Sequence, residues 1–178
     1  MAYVFKEGKM ASNVLDVALA NAIAQTAVKD GSLVVLGDLV ADTTYDANGK
    51  EYDTYVATAP AAATDEVVIV DYAGISSGDI AGNHYKMGKK LYDLEVPAGE
   101  PMRVRRLYLH DKFWLGASNF ATAPTVGQYA KATASAMTHT PAATLPESGY
   151  AIKILVANDL TAGNTSKGKI YLCEVVQL

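Results

Sequence analysis

Residues Met102 to Phe120 read MRVRRLYLHDKFWLGASNF, and how this stretch folds decides the architecture. In an extended chain Met102 and Val104 share one face while Arg103 and Arg105 share the other, the two-residue period of a half-buried strand. The apolar set then changes parity to Leu107 and Leu109. A bulge near Arg105-Arg106 accounts for the change, as does burial of both faces at the far end. His110-Asp111-Lys112 is a short polar break, after which a second strand is expected. The stretch also holds all three arginines, the only tryptophan and two of the three phenylalanines.

Toward the C-terminus, 121–149 is rich in Ala, Thr and Pro, with a clean alternation from Gln128 to Ala136. Ala130, Ala132 and Ala134 fall on one face, with Tyr129, Lys131 and Thr133 on the other. Tyr150, Ile152, Ile154 and Val156 form the inward side of an amphipathic strand. A turn over Asp159 to Lys169 leads to a last strand, Ile170 to Val176.

Toward the N-terminus, Tyr85 to Val96 gathers Lys86, Lys89 and Lys90. Residues 73–84, AGISSGDIAGNH, have the composition of an exposed loop. Val67 to Val70 is apolar on both faces and reads as a central strand. Asn48-Gly49, between Thr43-Thr44-Tyr45 and Tyr52 to Val56, is the strongest hairpin signal, because both residues tolerate positive φ. Leu33 to Leu36 is a further strand. From Ser12 to Val28 the spacing of Leu15, Leu19, Ala22, Ile23 and Thr26 predicts an amphipathic helix, capped by Ser12 or Asn13. The competing reading is a strand through Val14 to Leu19. Tyr3-Val4-Phe5 is either a first strand or a terminal arm.

The expected fold is therefore mainly β, a sandwich or barrel of about nine or ten strands with one short N-terminal helix and a terminal arm. Residues 1–30 would be arm and helix, and 31–178 the β body.

Half of the 178 residues are apolar and 19% are charged, a composition that argues against disorder. The net charge of −4 is unevenly spread: residues 1–83 carry −8, 84–112 carry +3 and 113–178 carry +1. Complementary patches on neighbouring copies or on a partner follow from that spread, or else scattered solvated charge. Cys173 is the single cysteine, so no internal disulfide is available, and its apolar run predicts a buried inert thiol. No apolar run is long enough for a spanning helix, and no membrane partner is expected.

No grouping names a reaction. Gly163 to Lys169 fits GxxxxGK, but Ile170 stands where Ser or Thr would hold magnesium, and the string leads into a strand where the motif needs a helix. A calcium loop over Thr44 to Tyr55 lacks carboxylates at its first and last positions. His84, His110 and His139 lie on separate segments without metal-ligand spacing. His110 and Asp111 are neighbours, which on a strand point to opposite faces and form no catalytic relay. Neither an enzyme, nor a cofactor, nor a metal site is expected. Arg103, Arg105 and Arg106 with Trp114 suit a protein contact better than nucleic acid, since the chain is acidic overall. Two solvated arginines beside a core tryptophan is an equally ordinary reading.

Four segments, DGSLVVLGDLVAD, PAGEPMRVRRLYLHDKFWLGASNF, GQYAKATASA and KGKIYLCEVVQL, together resemble the capsid decoration, or cement, proteins of tailed bacteriophages. The likeness is one of texture across 30–178. It implies a virion structural protein made in the host cytoplasm and bound to the outer capsid surface. Its implied partners are the major capsid protein and other copies of itself. The contact residues expected on that reading are Tyr3, Phe5, Lys6, Lys9, Arg103, Arg105 and Trp114, together with loop 73–84. The rival class is a carbohydrate- or receptor-binding β-sandwich module of a phage head fibre or tail, with exposed Tyr and Trp as stacking platforms.

Overall fold

The computed structural model describes residues 5–14, 18–40, 54–71, 95–162 and 165–178. The protein is mainly β, with thirteen strands among the described residues and, as helix, only the 3-10 turns Ala11–Asn13 and Ala117–Asn119. The strands are β1 (Phe5–Glu7), β2 (Leu19–Ala24), β3 (Val28–Lys29), β4 (Leu33–Leu39), β5 (Thr54–Thr58), β6 (Val68–Val70) and β7 (Glu95–Val96). They continue as β8 (Pro101–Arg106), β9 (Lys112–Gly116), β10 (Tyr129–Thr133), β11 (Ala136–Ala142), β12 (Ala151–Ala162) and β13 (Thr165–Gln177).

Neither a single sandwich nor a single barrel describes the result. A closed five-stranded barrel, β2-β5-β4-β6-β8, packs against a six-stranded antiparallel sheet, β1-β9-β13-β12-β10-β11. The opening stretch joins the two: β8 is a barrel strand and β9 a sheet strand. The break between them is a turn, with Asp111 N–H donating to the Tyr108 carbonyl at 3.1 Å and His110 at φ 70°. The ladders of β8 run without a register shift through Arg105 and Arg106, so no bulge lies there. The parity change is the end of the strand: Leu107 turns inward, while Leu109 is 56% exposed.

The helix expected over 12–28 is corrected. Its described residues form the turn at Ala11–Asn13, then β2 and β3; residues 15–17 lie outside the description. β2 pairs parallel with β5 and antiparallel with β8, and these two ladders outweigh a weak local preference. Ala22 and Ala24 are buried in the barrel cluster with Ala57, small side chains set among Val34, Val68, Val70, Met102 and Val104. Of the strand alternative over Val14 to Leu19, the described residues are Val14, a turn residue 85% exposed, Ala18, outside any strand, and Leu19, where β2 begins.

Strands that face both units are apolar on both sides. Val34, Val68 and Val70 fill the barrel, while Leu33 and Ile69, paired with each other, pack on the sheet. The sheet's inner face adds Phe113, Leu115, Ile152, Ile154 and Cys173 to that seam. Cys173 is buried, with its Sγ 3.6 Å from the Tyr171 carbonyl oxygen, and burial pushes its thiol pKa up. Ala130 and Ala132 are inward as expected, but Ala134 is exposed in the hairpin turn. Val156 is 39% exposed because a register shift between Ile154 and Val156 turns it to the outer face. The hairpin tip at Asn48-Gly49 lies outside the described residues; β4 and β5, on either side of it, pair antiparallel. β12 and β13 pair antiparallel as far as Ala162 and Thr165, so 165–169 of the Gly163 to Lys169 string are strand β13, and the turn expected over Asp159 to Lys169 is, in its described residues, ladder.

Within 1–30 the described residues are woven into both units. β1 is an edge strand of the sheet, and β2 is a wall of the barrel.

Candidate docking face

Residues Phe5 to Asn13 form a strap across the seam between barrel and sheet. Phe5 is buried against Phe113, with ring centroids 5.6 Å apart. Two buried carboxylates hold the strap's backbone: Asp30 Oδ2 accepts from Phe5 N–H at 2.8 Å, and Asp111 Oδ1 accepts from Ala11 N–H at 2.7 Å. Between these points the strap passes so close to β9 that a Cβ on Gly8 would stand 2.2 Å from the Lys112 carbonyl oxygen. Since both sides are backbone, Gly8→Ala is expected to cost about 3 kcal/mol. Urea unfolding checks this; a loss near zero would mean the strap is free to lift.

Arg105 lies beneath the strap. Of its side chain 4% is exposed; Nε donates to Asp71 Oδ2 at 2.6 Å and Nη2 to Glu7 Oε1 at 2.6 Å. Nη1 donates to Ser12 Oγ and Asn13 Oδ1, each at 3.1 Å. Arg103 shares the same Asp71 oxygen from the rim of the cluster, at 2.6 Å, with 37% of its side chain exposed. Its Nε is buried with no hydrogen-bond partner. Arg105 is therefore a bolt of the fold, and its guanidinium is committed inward.

A second buried polar joint sits nearby. His139 is fully buried, its Nε2 is 3.2 Å from the Gly31 carbonyl oxygen and its Nδ1 is 3.1 Å from the Tyr150 hydroxyl. A carbonyl only accepts, so Nε2 carries the proton and Nδ1 accepts from Tyr150. Burial is the main cause that lowers the His139 pKa to about 4, opposed by the bond to Gly31. Burial also raises the Tyr150 pKa, so that phenol stays protonated. Gly31, at φ +76°, leaves no room for a Cβ beside Asn119, whose Nδ2 donates to the Asp30 carbonyl at 2.6 Å. The 29–31 turn is thus pinned from three directions.

The outer face of the six-stranded sheet is of different character. Registered pairing sets Lys6 beside Trp114, Trp114 beside Leu172, and Leu172 beside Val156. Two residues along the strands, a parallel row runs Lys112, Glu174, Lys153, Tyr129. Each row crosses four strands, about 14 Å at the usual interstrand spacing. Glu174 Oε1 is 3.1 Å from His110 Nδ1, and its Oε2 is 3.8 Å from Lys112 Nζ. Lys153 Nζ lies over the Tyr129 ring, 6.0 Å from its centroid.

Of the residues expected to make contacts, Lys6 and Trp114 come together on this face, with Trp114 half-buried rather than in the core. Lys9 is exposed on the strap, and Arg103 is at the rim of the buried cluster. Phe5 and Arg105 are placed inside the seam. Tyr3 and loop 73–84 lie outside the described residues. Sequence reading missed Leu172, Val156, Lys112 and Lys153 as members of one face. The alternation of Tyr129 with Lys131 was the available signal; the joining of distant strands had none.

No protein-family model matches this chain, and no curated protein matches it. Among the described residues no group of three or more His, Cys, Asp or Glu side chains is placed to hold a metal ion.

Proposed function

We propose that this chain is a virion structural protein that binds the outside of a tailed-phage capsid and stabilises it by bridging major capsid subunits, with copies of itself as further neighbours. The observation that carries this reading is the outer face of the six-stranded sheet, where an aromatic-aliphatic row, Trp114, Leu172 and Val156, is bordered by lysines. Such a face adheres, and the strap and buried ion cluster behind it hold it rigid, which reduces the ordering cost of docking. A protein that binds only the assembled shell stabilises it by mass action, by about 2.7 kcal/mol per site at a hundredfold excess over Kd.

The test is to incubate the full chain with shells lacking it and to follow shell occupancy and the temperature of shell disruption. Saturable binding with a higher disruption temperature is the expected result; shells that neither bind the chain nor gain stability would remove the reading. Trp114 and Tyr129 on the same sheet face also favour a second reading, a glycan-binding module that stacks sugar rings. That reading expects binding on a glycan array and none to shells.

A further inference from the structure

We propose that the outer face of the six-stranded sheet receives a folded protein surface whose own patch is apolar and flanked by carboxylates. This rests on the capsid-binding reading and adds to it the face used and the chemistry of the surface that fits it.

Charge is the first support. Among the described residues, Lys6, Lys112, Lys131 and Lys153 stand on this face against Glu174 alone, which gives these five side chains +3 in a chain of net charge −4 and leaves −7 on the rest. Glu174 is already engaged by His110 and Lys112. Among the described residues Lys6 and Lys131 make no ion pair, and Lys153 has only the Tyr129 ring. Lysines two strands apart repel by about 0.4 kcal/mol in water, a cost that arriving carboxylates convert into attraction.

Shape and polarity are the second support. Trp114 and Leu172 are half-buried and Val156 is 39% exposed, so the row offers an anchor of modest area without a deep groove. Trp114 stands between the edge strand and the aliphatic pair, with Lys6 at one end of the row and Lys112 and Lys153 along one flank, an aromatic anchor beside steering charges. Nucleic acid fits less well. The centre a nucleic acid would reach is aliphatic beside a single indole, which gives successive bases little to stack on.

The experiment uses the full chain and shells lacking it, at low salt and at about 0.5 M salt, where screening shortens the reach of exposed charges to a few ångströms. The decisive variant is Lys112→Glu with Lys153→Glu, and Trp114→Ala is the second. Circular dichroism and urea midpoints verify that each folds. Zero-length carbodiimide coupling, mapped by mass spectrometry, reports which lysines touch carboxylates of the shell protein. The expected result is that wild type binds, high salt and the double reversal each weaken binding by about tenfold or more, and couplings come from these lysines. If wild type binds but the reversal binds equally well, or couplings come only from Lys29 and Lys169, this face is wrong while the capsid reading stands. If wild type binds no shell at either salt, both fall. A single-stranded oligonucleotide bound as tightly as shells, and lost on the same reversal, also overturns a protein partner.

Discussion

Asp71→Ala is expected to lower the stability of the protein by about 3 kcal/mol, the low end of the range for stripping one partner from a buried ion pair. Asp71 Oδ2 accepts from Arg105 Nε and from Arg103 Nη2, both at 2.6 Å, and the Arg105 side chain is 4% exposed. Removing the carboxylate leaves that guanidinium out of water with Glu7, Ser12 and Asn13 as its remaining partners. Glu7 is 43% exposed and retains its bond, which is why the low end applies. Adding Arg105→Met to Asp71→Ala removes the stranded charge, and this double variant is expected to recover part of the loss. Urea unfolding of wild type and both variants measures the two differences. A single variant within about 0.5 kcal/mol of wild type would show that water reaches Arg105 and that the cluster is not a bolt.

The second large effect is on acid stability. Burial lowers the His139 pKa in the folded protein to about 4, against an ordinary value of 6.5. Above pH 6.5 the ring is neutral both folded and unfolded, so its titration contributes nothing. As pH falls below 6.5 the unfolded chain takes up a proton that the folded chain refuses, and stability drops by about 1.4 kcal/mol per pH unit until the folded pKa is reached. The window from 6.5 to about 4 therefore removes about 3 kcal/mol through this one side chain. Around it stand Tyr150, whose hydroxyl meets Nδ1, Cys173 beyond that hydroxyl, and Asp30 beside the accepting Gly31 carbonyl. His139→Asn is expected to be less stable at pH 7.5, having lost ring packing against Phe120 and Tyr150, but to lose less on acidification than wild type. Urea midpoints from pH 7.5 to 4.5 for both proteins give the difference. Equal slopes would mean that His139 is protonated inside the fold without penalty, and proton NMR of the ring would then titrate near 6.5.

Much of the β texture was legible locally. The alternation of Met102 and Val104 against Arg103 and Arg105 marks β8 correctly, and Val67 to Val70 was read as apolar on both faces. The reason for that double face, a strand shared between a barrel and a sheet, was not legible. The predicted helix failed on the same point: the spacing of Leu19, Ala22 and Ile23 is helical, but β2 is covered on both faces at Ala22 and Ile23, and ladders to β5 and β8 made it a strand. Val156 was read as inward because its strand alternates, yet one shifted register sends it outward beside Leu172. For the candidate face, Lys6 and Trp114 were both singled out, but their pairing joins segments more than a hundred residues apart.

What the chain's composition and two-residue periods determined by themselves is a β-rich protein with a buried thiol, a turn at His110-Asp111 and arginines alternating with core residues. Which side of each strand is covered was decided only in three dimensions. Arg105 faces away from the barrel interior, as its parity requires, yet Glu7, 98 residues earlier, and Asp71, 34 residues earlier, close over it. Side-chain alternation is a property of neighbouring peptide units, whereas burial depends on what distant segments arrive opposite. That is why the same period yields a buried ion cluster at Arg105 and an open lysine-bordered face at Trp114.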